Sequence, residues 1–284
     1  MTLATVATRA RIPAWAYISA GTLIVVLTYA YLVIARPVSL QGGGGGSAGL
    51  LALGGYLLGS ILIIVGSMSR LPTSTVALLP VAIAINLVIG QLNNIIGIPL
   101  YLDSIGTVLV GVLAGPAAGA ATGALANVIW GITINPTILP FAVTAAEIGL
   151  LAGLFARAGA FRRLWLALPA GLLTGVVSAI ISAPIAAFVY GNAGASAGRS
   201  AISAAFQAYG SSLLGAATLQ GLISDPLDKV VSFLLAFLIL AALPARFRQR
   251  FPFARRFQVF GRSKRAVLDN EKTTEPAGSP GSDR

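Results

Sequence analysis

Long apolar runs recur along this chain, and they constrain its fold more than any other feature. Bounded by Gly, Pro, Asn or Arg, they fall at about Ala14–Ile34, Leu50–Ser67, Val76–Ile95, Ser104–Leu113, Ala117–Ile132, Ile138–Ala156, Leu164–Val189 and Leu227–Leu243. Such runs suit helices that cross a bilayer, whose hydrocarbon core takes roughly 20 residues. Backbone amides in hydrocarbon must be satisfied within the segment, so the expected class is all-α, a polytopic membrane helical bundle. The fourth run is short for a crossing and needs neighbours to shelter it. Composition agrees: only 10% of the 284 residues are charged, against roughly a quarter in soluble domains. The first run follows Arg9 and Arg11 but exceeds the roughly 7–15 residues of a signal-peptide core and has no small-residue cleavage site behind it. It reads as a retained helix.

The scarce charges orient the runs. With the N-terminus inside, Arg70, Arg157, Arg162, Arg163 and the basic stretch Arg246–Arg265 also lie inside, while the outer connections hold only Arg36 and Arg199. This positive-inside pattern implies an even number of spans and two cytoplasmic termini in a plasma membrane. The net charge of +11 therefore belongs to membrane flanks and does not point to nucleic acid, although the tail also suits contact with anionic lipid. Gly42–Gly46 reads as an external linker. The expected organisation is an N-terminal hairpin over 1–70, a six-helix core over 71–245, and a tail over 246–284 that is basic and then, from Asp269, disordered.

Several chemistries are excluded. The chain has no Cys and no His, hence no disulfide, no thiolate or imidazole metal site and no His-based acid–base catalysis. No GxxxxGK[ST], HExxH or TVGYG sequence occurs. No catalytic residue, metal or cofactor is expected, and the chain does not read as an enzyme.

Polar groups in hydrocarbon are costly without a partner, so the few that interrupt the runs need a reason. Asn93, Asn94, Tyr101 and Asp103 crowd into the outer connection Gln91–Thr107. Asp103 precedes a helical run and suits an N-cap, which leaves its neighbours unexplained. Glu147 lies near the middle of its run, where a charge costs about 2.5–3.5 kcal/mol on insertion scales, so it should face the bundle interior with a partner, structural or functional. In LISDPLDKVV, Ser224 or Asp225 suits a cap, Pro226 the first helical turn and Asp228 the helix dipole. Lys229 pairs with Asp225 four residues earlier, serves as a counter-ion for Glu147, or contacts a ligand.

Asn86 and Asn127 suit interhelical hydrogen bonds, and Trp130 an interfacial anchor or a stacking surface. Gln207, Tyr209 and Gln220 occupy the long connection 190–223, which is either a solvated loop or, given the helical patch Ala201–Tyr209, a lid. Gly115, Gly119 and Gly123 form a helix-packing row, with Pro116 at the first turn of its helix. The amide-rich, acidic mouth, with Lys229 its main basic group, favours a neutral or cationic nitrogenous ligand.

The run from Val81 to Ile132, which contains NLVIGQLNNIIGIPLYLDSIGTVLVGVLAGPAAGAATGALANVIWG, resembles the substrate-binding S component of energy-coupling factor transporters. PLYLDSIGT, the GPxxGxxxGxxxN series (Gly115, Pro116, Gly119, Gly123, Asn127) and SDPLDKVVSFLLAF carry the likeness, which extends over the six spans from Val76 onward. It implies a bacterial plasma-membrane protein with a six-helix core that captures a vitamin or related micronutrient outside. Its partners would be a transmembrane coupling subunit and two cytoplasmic ATPases, which agrees with the missing P-loop. The ligand would sit beneath three outer connections, here Gln91–Asp103, Gly131–Pro140 and Tyr190–Asp225. The candidate ligand contacts are then Asn93, Asn94, Tyr101, Asp103, Asn127, Trp130, Glu147, Gln207, Gln220, Asp225 and Lys229. Departures from the family are the two extra helices before Ser67 and the lack of an AxxxA docking pair, for which Ala82 and Ala84 do not serve. The absence of His sets the chain apart from the nickel and cobalt branch. The alternative reading is a membrane sensor or scaffold acting through its basic tail.

Overall fold

Apolar segments deprived of water must close their backbone hydrogen bonds internally, and here they do so as helices. The computed structural model describes residues 13–35, 47–68, 71–192 and 196–261. The Gly42–Gly46 linker, Arg9, Arg11, Arg36, Arg70 and the tail from Asp269 lie outside the described residues. Among the described residues every regular element is helical: α1 (Ala14–Ala35), α2 (Ser47–Met68), α3 (Thr73–Ile96), α4 (Ile105–Ala114), α5 (Pro116–Thr133), α6 (Ala142–Arg157), α7 (Leu164–Phe188), α8 (Ala197–Ala208), α9 (Leu213–Ala242), α10 (Ala245–Arg248) and α11 (Pro252–Arg256). A 3-10 turn, Pro136–Phe141, leads into α6 and is capped by Asn135, whose Oδ1 accepts from Thr137 N at 3.1 Å.

Among the described residues, five segments are long and apolar enough to cross a membrane: Ala14–Ala35, Leu50–Met68, Thr73–Ile96, Pro136–Arg157 and Leu164–Phe188. Exposed Leu, Ile and Val side chains cover their outer faces, among them Leu23, Leu27, Leu51, Val81, Val88, Leu172 and Leu173. The chain is therefore a membrane-embedded helical bundle. The short fourth run does find shelter, since every residue of α4 from Ile105 to Leu113 is buried. The Gly106 amide, left without an intrahelical partner in the first turn, donates to Asn86 Oδ1 of α3 at 2.7 Å, while Asn86 Nδ2 donates to Thr107 Oγ1 at 2.8 Å. Asn86 thus does from a neighbouring helix what a local cap would do.

Glycines set the closest approaches. A Cβ built on Gly119 would lie 2.3 Å from Gly149 O, and one on Gly123 2.0 Å from Ala145 O, so α5 and α6 touch backbone to backbone. On α7, Gly171 and Gly175 face Lys229 O and Pro226 of α9 in the same way. Gly115, by contrast, meets the Phe253 ring and ends α4 at φ 99°.

The hairpin packs on the core: Leu32, Ala52 and Tyr56 share one buried cluster with Val143, Ala183, Phe188 and Ala217. The basic stretch after Leu243 is folded, with Phe251, Ala254 and Val259 buried against Leu113, Phe161 and Leu240. Aromatic residues every few positions give this stretch an apolar face that its net charge concealed.

Candidate functional site

The eighth run starts a full fourteen residues earlier than its hydrophobicity indicates (227 − 213), and this places the site. At about 1.5 Å per residue, the 30 residues of α9 extend about 45 Å, beyond the roughly 30 Å of hydrocarbon. Asp225, Pro226, Asp228 and Lys229 therefore lie inside a helix and not at its start. They are buried, and the capping and dipole roles expected of Asp225 and Asp228 do not hold. The actual N-cap is Ser212, whose Oγ accepts from Gly215 N at 3.1 Å.

Each buried charge has found a partner from elsewhere in the chain. Arg199 of α8 donates from Nη2 to Asp225 Oδ1 at 2.6 Å, with both side chains about 95% buried. Its guanidinium also stands 4.1 Å from the centroid of the Tyr101 ring. Asp225 Oδ2 accepts from Ser182 Oγ at 3.3 Å. Turned so that its oxygen faces the guanidinium, the Gln220 amide accepts from Arg199 Nε at 3.0 Å and from Ser224 Oγ at 2.8 Å.

A second cluster adjoins the first. Asp228, fully buried, accepts at Oδ1 from Tyr101 N (3.1 Å) and Leu102 N (2.7 Å), and at Oδ2 from Lys229 Nζ. Leu102 has φ 52°, a left-handed conformation that costs a bulky side chain energy, and the paired amide bonds to Asp228 hold it there. Lys229 Nζ also donates to Ser104 Oγ at 3.0 Å and approaches Asp103 Oδ1 at 3.7 Å. Lys229 thus pairs with Asp228 and Asp103, not with Asp225 or Glu147. Burial pushes the Asp103 carboxyl above the usual carboxylate range, while Lys229 draws it down and Asp228 pushes it up. Burial pulls the Arg199 guanidinium down, but Asp225, Tyr101 and Asp228 together raise it above its ordinary value, so it keeps its charge.

Of these groups, Tyr101, Asp103, Ser182, Arg199, Gln220, Asp225 and Lys229 line one cavity of about 810 Å³, its open mouth included. The wall draws on Tyr101 and Asp103 from the α3–α4 connection, Asn127 from α5, and Ile138 and Phe141 from the 3-10 turn. Thr144 and Ile148 come from α6, Ser178 and Ser182 from α7, and Tyr190 and Asn192 from just beyond it. Arg199 and Ser203 of α8 and Ala217, Gln220, Asp225 and Lys229 of α9 complete it. The three connections singled out in the sequence therefore meet around one space. α8 is pinned to the first of them by Gly198 N donating to Gly97 O and Ser196 Oγ to Ile98 O, each at 3.2 Å. The arginines Arg157, Arg162 and Arg163 and the α10–α11 stretch lie at the far end of α6, α7 and α9.

Of the candidate contacts, Tyr101, Asp103, Asn127, Gln220, Asp225 and Lys229 line the cavity, and the others stand apart from it. Asn93 is buried and donates from Nδ2 to Leu100 O, bracing the connection. Asn94 is exposed. Trp130 is neither an interfacial anchor nor a cavity wall: it is buried, its ring filling the space left by Gly90. Gln207 is exposed and reaches only Ser203 O of its own helix. Glu147 reaches the wall indirectly, its Oε2 accepting from Ser178 Oγ at 2.7 Å, and it forms no ion pair among the described residues. Asp103 is not a cap either, since Ser104 precedes α4 and Asn86 serves its amide.

Arg199 is the group that sequence reasoning passed over. It entered only as a topological marker, although it stands almost alone among cations outside the basic flanks. No family model, curated protein or solved structure matches this chain.

Proposed function

We propose that the chain is a solute-capturing membrane subunit of the energy-coupling factor type, which binds a small organic micronutrient at the outer face and delivers it inward with a coupling subunit and two ATPases. The observation that carries the reading is the cavity at one end of the bundle, walled by three connections and lined with charged groups that are already held in place. Preformed, largely apolar pockets with a few fixed polar groups are what small-solute binding requires. The arginines at the opposite end support an outward-facing cavity under the positive-inside rule.

The test is binding without ATP. In nanodiscs, the protein is expected to bind saturably at least one member of a vitamin and nucleoside panel, and to import it with ATP only when its partners are present. Should no panel member bind and no ATPase copurify from the native membrane, the reading fails.

A further inference from the structure

We propose that the cavity takes a small organic cation, with its positive nitrogen seated against Asp103. The inference rests on the solute-capture reading and narrows it to a ligand class.

Charge balance comes first. The ion-pair network at the cavity contains two cations, Arg199 and Lys229, and three carboxylates, Asp103, Asp225 and Asp228. One carboxylate is in excess. A buried charge without a matched partner is costly, so a ligand bearing one positive charge completes the network where an anion would worsen it.

Partner geometry shows which carboxylate is in excess. Asp225 uses one oxygen on Arg199 and the other on Ser182. Asp228 uses one on two backbone amides and the other on Lys229. Asp103 has its own backbone amide and, at 3.7 Å, the outer reach of a lysine already bound to Asp228 and Ser104. Its side chain is 17% exposed where those of Asp225 and Asp228 are 5% and 0%. Asp103 is the carboxylate left open to the cavity.

Further polar atoms await the rest of the ligand. Thr144 Oγ1, Asn192 Oδ1 and Arg199 Nη1 line the cavity and have no hydrogen-bond partner among the described residues, although each residue is more than nine-tenths buried. Buried polar atoms are rarely left so, and these call for an acceptor at Arg199 and a donor at Asn192. The stacked rings of Phe141 and Tyr190, 6.0 Å apart, offer a flat apolar wall to the body between. The ligand is therefore a compact protonated amine or amidine with hydrogen-bonding groups away from the charge.

The test varies charge at constant shape. Phenethylamine, 2-phenylethanol and phenylacetate, with tyramine, tyrosol and 4-hydroxyphenylacetate, are titrated by calorimetry against the wild type, Asp103→Asn and Asp103→Glu in nanodiscs. Every vitamin or nucleoside that binds is added to the comparison. The expected result is that all binders are cations, that Asp103→Asn weakens them at least tenfold, and that Asp103→Glu keeps most of the affinity. Unliganded melting of each variant separates lost binding from lost fold. Neutral or anionic members binding as well as the amines, or unchanged amine affinity in a folded Asp103→Asn, overturns the cation and leaves solute capture standing. If neither the probes nor the panel bind the wild type, capture itself falls and takes the inference with it.

Discussion

Replacing Arg199 by Met should be among the most destabilising single changes in the chain. Methionine keeps most of the stem and its packing, so the change isolates the guanidinium. The wild-type pair is 2.6 Å long, with side chains only 4% and 5% exposed. After the change Asp225 retains Ser182 at 3.3 Å and faces a dry interior without a counter-charge. Breaking one side of such a pair costs about 3–5 kcal/mol, because the remaining ion stays buried. That corresponds to more than about a hundredfold in the folding equilibrium at about 1.4 kcal/mol per tenfold. Loss of the cation–π contact to Tyr101 is included in that range. Reversible SDS unfolding in mixed micelles gives the free energy, with buried Trp130 as a fluorescent reporter. Adding Asp225→Asn removes the stranded charge, so the double variant should recover about 1.5–3 kcal/mol relative to the sum of the singles. Hydrogen exchange should localise the damage to α8, which is also tied through Gly198 N to Gly97 O, Ser196 Oγ to Ile98 O and Ser200 Oγ to Asn192 O. Two results would refute the reasoning: a cost below about 1 kcal/mol, or additivity of the two changes to within about 0.5 kcal/mol.

Other expectations rest on different contacts. Lys229→Met strands Asp103 and Asp228 together and should cost about 3–5 kcal/mol; adding Asp228→Asn, whose oxygen still accepts from Tyr101 and Leu102, should restore much of it in the same SDS titration. Gly149→Ala places a Cβ 2.1 Å from the Gly119 backbone and should cost about 1–3 kcal/mol or more by overpacking, whereas Gly54→Ala meets nothing within 4 Å and should gain up to about 1 kcal/mol. Equal effects at Gly149 and Gly54 would show that α5 and α6 are not in backbone contact.

Much of the fold was legible because hydrocarbon permits few alternatives. The first seven apolar runs each find a helix near the expected bounds, and the glycine row of α5 does face α6. What misled was local chemistry with two meanings. Ser-Asp-Pro followed by Leu and Asp is the signature of a helix start, and nothing within ten residues of Asp225 argues otherwise. The helix continues back to Leu213 because its N-terminal half is packed by α7 and α8, a tertiary effect that a hydrophobicity profile does not register. Asp103 was misjudged for the complementary reason: its expected capping work is done by Asn86, which sits twenty positions away from Gly106.

One signal could have assembled the site without any structure, and it is scarcity. Between residues 71 and 243, apart from Arg157, Arg162 and Arg163 at the basic end, the cations are Arg199 and Lys229 alone. The carboxylates of the same stretch are Asp103, Glu147, Asp225 and Asp228. Buried ions in a membrane bundle must be paired or neutral, so two cations had to be shared among four acids, and Arg199 could not have been an idle loop residue. With Lys229 paired to Asp228, Arg199 is left for Asp103, Glu147 or Asp225, and the fold chooses Asp225, which brings α8 against α9. The same arithmetic leaves carboxylate over, whichever way the pairs are drawn. The excess of acid over cations is legible in the sequence, whereas the cavity that Asp103 and Asp225 face exists only once the connections fold together.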